Sequence, residues 1–366
     1  MLDRRLFSNF NWWFFLLILA LSVIGVVVIY SANHARPEAF YQGLYIKQIY
    51  WILCGLGVLI LTVFFDYRML SRYAYPIFLL MVLALVFVLL FGTISSGARR
   101  WIHIGPLTLQ VSEFAKFALI LALAKYFEGG KPGGQYALTD LIAPTLMTAL
   151  LAGLIYKQPD LGTALILVFI FFVFVVAIEL NPKTLWRLIG TVAVVTPFGW
   201  FFLKNYQKIR ILTLFNPELD PLKTGYHTIQ SKIAVGSGGF WGKGLMAGTQ
   251  SRLNFLPEKH TDFIFSVYAE ELGFIGVTVL LGLYLFLILK GLNIAFRAGD
   301  RFGLFIALGI VASTSFYIIF NIGMTIGIFP VTGLPLPLLS YGGSSLITNF
   351  FALGLLLNIE MRRTVR

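Results

Sequence analysis

Residues 12–30 read WWFFLLILALSVIGVVVIY, and this uninterrupted apolar run determines the class of fold. A helix of about 20 such residues crosses the hydrocarbon core of a bilayer. The run is longer than the ~7–15 apolar residues of a cleaved signal peptide, so we expect it to remain as a helix. Similar runs recur along the 366 residues, ten in all, at about 12–31, 46–65, 74–92, 111–127, 138–156, 161–179, 185–203, 263–289, 303–329 and 345–359.

These runs predict an all-α polytopic membrane protein with about ten transmembrane helices, forming one domain over residues 1–366. The run at 111–127 is short and carries charge, so nine spans are the alternative. A long extracytoplasmic loop, residues 204–262, separates helices 7 and 8. The composition agrees with this fold class, because 58% of the residues are hydrophobic and only 12% are charged, against roughly 25% in soluble domains.

The net charge of +12 is explained better by membrane orientation than by nucleic-acid binding. Short cytoplasmic loops of membrane proteins collect Lys and Arg. With the N-terminus inside, the inner side carries fourteen of these residues and the outer side six, leaving aside the long loop. We therefore expect both termini in the cytoplasm, the long loop outside and no nucleic-acid partner.

The long loop contains a glycine-rich, basic stretch at 225–262, GYHTIQSKIAVGSGGFWGKGLMAGTQSRLNFLPEKHTD. Its segment 242–247 fits the pattern GxGxxA but follows no predicted strand, which argues against a dinucleotide site. No GxxxxGK[ST] motif is present, which argues against an ATP-driven machine. We expect these glycines to form turns and to let the backbone approach a ligand or another helix closely.

A second irregular segment interrupts a charge-free stretch near the C-terminus. Residues 330–345 read PVTGLPLPLLSYGGSS, while 302–359 contain no Asp, Glu, Lys or Arg. Irregular backbone at membrane depth is tolerated only where protein buries it or water reaches it. We predict a re-entrant loop beneath the long outer loop, with an ordinary short loop as the alternative. Residues 93–112 are also predicted to be non-helical, because glycine and proline interrupt them.

Asp262 ends the long loop and directly precedes an apolar run. An Asp in this position most often caps a helix N-terminus, and the sequence alone favours that role over catalysis. The two roles are compatible, because a capping carboxylate at the outer surface can also act as a general base. The helix dipole would keep such a carboxylate ionised but would lower its basicity.

Further charged residues cluster at the predicted outer ends of the helices. Glu113 and Lys116 lie three residues apart on one helix face, and burying such a pair is costly unless something uses it. Asp160, Arg100 and Arg210 lie on the same outer side. Together they predict a mixed-charge cavity that opens outward, where the arginines would hold a phosphate group. Snorkelling at the membrane interface is the alternative interpretation.

For three other titratable residues, the sequence context does not distinguish a functional role from a structural one. Glu270 and Glu271 lie about two turns inside the eighth predicted span, where an acid is costly. Proton transfer and a structural role, paired with Lys, Arg or backbone amides, both remain open for them. His260 has the chemistry of a base or a metal ligand, but a lone His beside an acid is more often its hydrogen-bonding partner.

Taken together, these motifs resemble those of the SEDS family (shape, elongation, division and sporulation proteins), and the resemblance extends over nearly the whole chain. The short N-terminus and the wording of 248–258 are more similar to the cell-elongation branch than to the division branch. The most specific segments are SEFAK at 112–116, QPDLGT at 158–163, GYH and QSK within 225–232, LPEKHTDF at 256–263, AEELG at 269–273, and PLP and SYGGS within 335–344.

The resemblance implies a peptidoglycan glycosyltransferase of the bacterial inner membrane that polymerises lipid II into β-1,4-linked glycan strands at the outer face during cell elongation. It implies a class B penicillin-binding protein and other elongation-complex proteins as partners. The family's essential aspartate falls on Asp262, which would act as general base in an inverting displacement of undecaprenyl pyrophosphate. The alternatives are a lipid II flippase and a non-catalytic scaffold, and the outward clustering of polar residues favours chemistry at the outer face.

The candidate substrate-binding residues are Arg100, Glu113, Lys116, Asp160, Arg210, Lys232, His260 and Ser340. A divalent cation, Mg²⁺ or Mn²⁺, is the one cofactor that the chemistry suggests, because it would stabilise the departing pyrophosphate. No cluster of metal-type Cys and His residues occurs in the sequence, so the ligands of such a cation stay unknown.

Overall fold

The computed structural model describes residues 9–34, 39–95, 98–104, 107–131, 135–216, 224–253, 255–256 and 258–363. The chain is predominantly helical, with one small sheet. Its helices are α1 Trp12–Asn33, α2 Ala39–Gln42, α3 Leu44–Phe64, α4 Met69–Phe91, α5 Ser112–Glu128, α6 Ile142–Lys157, α7 Leu161–Ala177, α8 Pro182–Phe202, α9 Asn205–Phe215, α10 Thr224–Ser237, α11 Thr249–Arg252, α12 Ile264–Phe296, α13 Arg301–Thr325 and α14 Gly343–Arg362.

A helix occupies each of the ten runs predicted to span the membrane: α1, α3 to α8, and α12 to α14. In the described part of the chain, seven helical segments are long and apolar enough to cross a bilayer, and α7 is a shorter apolar helix. The predicted polytopic helical fold is therefore confirmed, while the number of membrane crossings stays a prediction. The main difference in length is α12, which continues to Phe296, seven residues beyond the prediction.

The predicted non-helical segment 93–112 contains a small antiparallel sheet of three strands, β1 Thr93–Ser95, β2 Ala98–Ile104 and β3 Leu107–Gln110. The central strand β2 pairs with both neighbours, and Trp101 lies opposite Gln110. The expectation of a purely α-helical chain missed this sheet, which leads directly into α5 and places Arg100 and Gln110 near the start of that helix.

The centre of the helix bundle is formed by α5 and α13, which pack against each other. Ala115, Ile120, Ile306 and Ile310 are almost fully buried there. Gly309 allows a close approach, since a Cβ atom at this position would lie 2.8 Å from Ile120. Helices between lipid tails associate through such close packing because hydrophobic burial gains little within the bilayer. The same device joins α3 to α14, where a Cβ at Gly354 would lie 3.1 Å from the Leu59 backbone.

The irregular backbone at 334–340 is mostly buried, which favours the predicted re-entrant loop over an ordinary loop. Leu336 and Leu339 are at most 1% exposed. Its carbonyl groups are satisfied by side chains from other helices: Tyr284 donates to the Pro337 carbonyl at 2.7 Å, and Gln48 donates to the Ser340 carbonyl at 3.1 Å. Such satisfaction is what permits non-helical backbone inside a membrane protein.

The glycine-rich part of the long loop at 204–262 packs directly against a break in α12. Gly273 interrupts that helix with φ 62°, and the Lys243 and Gly244 amides donate to the carbonyls of Glu270 and Glu271 at 3.1 and 2.9 Å. A Cβ at Gly242 would lie 2.2 Å from the Glu271 carbonyl oxygen. The predicted close approach of these glycines to another helix is therefore confirmed. The loop also contains three helices that were not predicted, α9, α10 and α11.

Candidate active site

Asp262 lies one residue before the N-cap of α12, so its predicted capping role is wrong. The N-cap is Phe263, and no side chain caps the helix. The position of Asp262 is fixed through the backbone instead. Asn321 of α13 donates to its carbonyl oxygen at 3.0 Å and to the Leu334 carbonyl at 2.7 Å, while Ser340 donates to the Thr261 carbonyl at 2.7 Å. The carboxylate is thereby left available for other chemistry.

The Asp262 carboxylate lines a cavity of about 170 Å³, named here the Asp262 cavity. Among the described residues, none donates a hydrogen bond to this carboxylate. Burial, together with the negative charge of Glu258, raises its pKa to about 6, while Arg210 and Arg100 act in the opposite direction. An aspartate with this pKa is mostly ionised at neutral pH yet accepts a proton more readily than an ordinary one, as a general base requires.

Asp160 also lines the Asp262 cavity, but its carboxylate is fully engaged. One oxygen caps α7 by accepting from the Thr163 amide at 3.2 Å. The other accepts from Gln110 at 3.2 Å and from Ser112 at 3.3 Å, and it lies 3.8 Å from the Arg100 guanidinium. Asp160 therefore connects the sheet, α5 and α7 at the wall of the cavity.

The pair predicted from its spacing, Glu113 and Lys116, forms a buried salt bridge of 2.7 Å beneath the same cavity. Tyr317 of α13 completes the group. Its hydroxyl donates to the second Glu113 oxygen at 2.9 Å and accepts from Lys116 at 3.3 Å. The Lys116 ammonium also lies 4.4 Å from the centre of the Tyr317 ring. Every charge in this cluster has a partner, which offsets the cost of burying it.

A larger cavity of about 390 Å³ adjoins the first, because Arg100 lines both. We name it the cationic cavity, since Lys204 and Arg210 also line it. Arg210 is held in place by donating to the Val331 carbonyl at 3.1 Å. Three cationic side chains at one cavity, beside a carboxylate with a raised pKa, are suited to an anionic group next to a proton-transfer site.

The remaining predicted site residues lie outside both cavities. Ser340 fixes the backbone, since its hydroxyl also accepts from the Leu336 amide at 2.7 Å. The His260 ring lies between Tyr41 and Tyr341, at 6.0 and 5.8 Å from their ring centres. Lys232 is exposed on α10 and extends across Gly327, where an added Cβ would meet its ammonium at 2.5 Å. The structure does not bring Lys232 to the Asp262 cavity.

Four residues of this region were missed by sequence reasoning: Gln110, Lys204, Tyr317 and Asn321. Each is joined to the site by a contact that the linear sequence does not contain. Tyr317 and Asn321 do have one visible signal, since they are four residues apart on a charge-free helix and so share a face. That spacing could have identified the polar side of α13.

Glu270 and Glu271 have structural partners, which supports the structural interpretation. Glu270 is fully buried, pairs with the Lys243 ammonium at 2.8 Å, and accepts from the Gln250 amide at 3.1 Å. Glu271 accepts from the Ser31 hydroxyl at 2.5 Å. Both side chains thus attach the glycine-rich segment to α12 and α1.

The described residues do not provide a protein-bound metal site. They contain no group of three or more His, Cys, Asp or Glu side chains that could hold a metal ion. Asp160 and Glu113 already have cationic partners at the Asp262 cavity. Because Mg²⁺ is commonly bound by one or two carboxylates together with substrate phosphates, the divalent cation suggested by the sequence stays a prediction.

The fold and this site define a polytopic membrane protein with an acid–base cavity, joined to a cationic cavity, at one end of its helix bundle. The chain belongs to the FtsW/RodA/SpoVE family of cell cycle proteins, whose family model matches residues 11–365. This membership confirms the family that the sequence motifs indicated.

Named relatives cover almost the full chain. The peptidoglycan glycosyltransferase MrdB of Escherichia coli K12 is 42% identical over 360 residues, which are 95% of this chain and 92% of MrdB. The peptidoglycan glycosyltransferase RodA of Treponema pallidum is 35% identical over 97% of this chain and 98% of its own. A solved structure described as the structural coordination of polymerization and crosslinking by a peptidoglycan synthase complex superposes with a TM-score of 0.82 at 35% identity, covering 98% of this chain and 99% of that one.

Proposed function

We propose that this chain is a peptidoglycan glycosyltransferase that polymerises lipid II into β-1,4-linked glycan strands during cell elongation. The observation that carries the proposal is the Asp262 carboxylate, which lines a cavity, receives no hydrogen bond from a described residue and has a pKa raised to about 6. The names of the relatives support the same activity.

Asp262 is the general base of the proposed reaction. It takes the proton from the 4-hydroxyl of the acceptor sugar as that oxygen attacks C1 of the donor sugar. The bond between C1 and the pyrophosphate oxygen breaks, and undecaprenyl pyrophosphate leaves with the electron pair. A single displacement inverts the anomeric centre, so one base is sufficient and no nucleophilic carboxylate is needed.

The cationic cavity stabilises the departing pyrophosphate. Arg100, Arg210 and Lys204 line it, and Arg100 also borders the cavity that contains the base. Positive groups that are fixed before the reaction stabilise the charge that develops on the leaving group without reorganising. Arginine binds phosphate oxygens with two parallel donors, which also orients the group.

The site lies on the periplasmic side of the bacterial inner membrane, with both termini in the cytoplasm and residues 1–366 forming one domain. A class B penicillin-binding protein and other elongation-complex proteins are the proposed partners. Support for the former comes from the structural neighbour, which is described as a complex that coordinates polymerization with crosslinking. Arg100, Glu113, Lys116, Asp160 and Arg210 are the proposed substrate-binding residues that the cavities and the buried ion pair support.

The test is polymerisation of purified lipid II, with glycan strands separated by gel electrophoresis. Asp262→Asn preserves the shape of the side chain but removes the base, so we expect no strands. Glu179→Gln is the matched control, because Glu179 is an exposed acid outside both cavities, and it should polymerise normally. Normal strand formation by folded Asp262→Asn protein would refute the assignment of the base.

A further inference from the structure

Residues 239–242, GFWG, form a tight turn that fills the break in α12, and we name them the aromatic turn. At the break, the amides of Phe274 and Ile275 lose the acceptors that a continuous helix would give them. The Phe274 amide donates instead to the Gly239 carbonyl at 2.9 Å, and the Ile275 amide donates to the Phe240 carbonyl at 3.3 Å. The turn is therefore part of the backbone hydrogen-bond network of α12.

The carbonyl groups on the other side of the break are satisfied in the same way. The carbonyls of Glu270 and Glu271 accept from the Lys243 and Gly244 amides, which follow the turn, at 3.1 and 2.9 Å. Four backbone hydrogen bonds thus join the glycine-rich segment to α12, as irregular backbone at a membrane requires. The fit depends on glycine, since a Cβ atom at Gly273 would lie 2.3 Å from an amide nitrogen at the end of the turn. The aromatic turn is therefore held in one position against the helix.

Two large side chains project outward from this turn. Trp241 is 79% exposed and Phe240 is 58% exposed. The Phe240 ring stacks on that of Phe274, with the ring centres 5.7 Å apart, and Phe274 is itself 60% exposed. We name these three residues the aromatic patch. Leaving so much aromatic surface in water is unfavourable, so a patch of this kind marks an interaction surface.

The aromatic patch is continuous with the exposed apolar side of α12. Exposed apolar residues follow Phe274 at intervals of four or seven positions, which places them on one helix face: Leu281, Leu285, Leu289 and Phe296. The helix is long and apolar enough to cross a bilayer. This face is therefore in contact with lipid, and the aromatic patch forms the end of it that is nearer to Asp262.

The length of α12 places the aromatic patch at a boundary of the bilayer. From Phe274 to Arg297 the helix rises about 35 Å. The hydrocarbon core is about 30 Å thick, and the headgroup regions extend the bilayer to about 40–45 Å. Lys290 is the single charged residue between these two positions of the sequence, and it pairs with Glu360 at 3.1 Å. With Arg297 among the headgroups of one leaflet, Phe274 lies at the headgroup boundary of the other.

We propose that the aromatic turn is a membrane anchor, whose Trp241 and Phe240 side chains insert among the phospholipids at this boundary. Tryptophan suits such a position, because its apolar ring enters the edge of the hydrocarbon while its indole N–H bonds to headgroups or water. The four backbone bonds transmit the position of the anchor to α12 and to the long loop that ends at Asp262. The loop is thereby kept at a constant height above the bilayer, whatever reaction the Asp262 cavity carries out.

The test places an NBD fluorophore on single cysteines of Cys54→Ser protein in phosphatidylcholine vesicles, where Cys54 is the only native cysteine to remove. On Trp241→Cys, a nitroxide near the headgroup end of the lipid chains should quench more strongly than one near the methyl end. Glu258→Cys is the control for water, because Glu258 is exposed in the same loop; aqueous iodide should quench it about fivefold more than the label at position 241. Leu285→Cys is the control for depth, and the methyl-end nitroxide should quench it most.

A second substitution separates insertion of the turn from insertion of the fluorophore alone. Gly273→Ala displaces the turn, so iodide quenching of the label at position 241 should rise to the level of the Glu258 label. Gly282→Ala is the matched control on the same helix, where an added Cβ meets nothing within 4 Å, and it should change nothing. An unchanged Leu285 label in both variants shows that α12 still crosses the membrane. Equal iodide quenching at positions 241 and 258, or a label at 241 that Gly273→Ala does not move, would overturn the anchor.

Discussion

Replacing Asp262 with Asn should make the protein more stable at neutral pH while abolishing its activity. The folded protein raises the pKa of this carboxyl to about 6, mainly through burial, against an ordinary value of 3.8. That difference corresponds to roughly 3 kcal/mol of preference for the neutral form. The side chain is only half-buried, and water reduces the cost, so we expect a gain of about 1–2 kcal/mol from the neutral amide.

The gain depends on pH with a definite sign. Between about pH 4 and 6 the folded state holds the Asp262 proton more tightly than the unfolded state does, so wild-type stability falls as pH rises through this window. The asparagine variant has no such group and keeps its stability. The difference between the two proteins should therefore be largest above pH 7, decrease below pH 6 and vanish below pH 4.

Thermal unfolding in detergent, followed by the change in tyrosine and tryptophan fluorescence between pH 4 and 8, measures this difference. At pH 7.5 we expect the variant to unfold roughly 2–4 °C above the wild type. Glu179→Gln, which removes an exposed carboxylate, should show no such pH-dependent shift. Two results would refute this reasoning: an Asp262→Asn protein that is less stable than the wild type, or a stability difference that stays constant over this pH range. Either would show that burying the ionised Asp262 carboxylate does not lower the stability of the folded protein.

Three further predictions concern the rest of the site. Wild-type kcat/KM for polymerisation should fall about tenfold per pH unit below pH 6, where the proposed base becomes protonated. Glu258→Gln should shift this acidic fall in kcat/KM to lower pH, because Glu258 raises the pKa of Asp262. A fall at the same pH in both proteins would contradict this. Arg210→Ala should slow strand formation about 100-fold in a gel time course. Lys208→Ala, on the same helix but outside the cationic cavity, should leave the rate unchanged. Equal rates in the two variants would contradict the role of Arg210 in stabilising the departing pyrophosphate. Lys116→Met should lower the free energy of unfolding by about 3–5 kcal/mol, because it leaves the buried Glu113 carboxylate charged without its partner. Adding Glu113→Gln removes that charge and should restore most of the lost stability. A double variant as unstable as the single one would contradict this.

The helical framework was predictable because each span is a local pattern. An apolar run of sufficient length has few structural solutions in a membrane, so the positions of all ten helices follow from the sequence. The i,i+3 pairing of Glu113 with Lys116 was predictable for the same reason, since both lie on one helix. The small sheet at 93–110 and the helices α9, α10 and α11 were missed, because short segments at an interface form through contacts with the bundle.

The Asp262 error has a specific physical cause. The residue has the sequence context of a helix cap, but the turn that contains it is held by Asn321 and Ser340, which are 59 and 79 residues away from their bonding partners Asp262 and Thr261. Those contacts hold Asp262 one position outside the capping geometry. Its basicity changes as a result: a capping carboxylate would have a lowered pKa, whereas burial raises the pKa of this one to about 6.

Three acids line the Asp262 cavity, and their different surroundings suit them to different roles. Asp160 is engaged by a helix N-terminus and by Arg100, and Glu113 by Lys116 and Tyr317. Asp262 alone receives no hydrogen bond from a described residue. Acid–base sites are commonly built by giving similar groups different environments. Here the paired acids fix the cavity and keep its cations in place, and in the proposed reaction that pairing would prevent either of them from competing with Asp262 for the substrate proton.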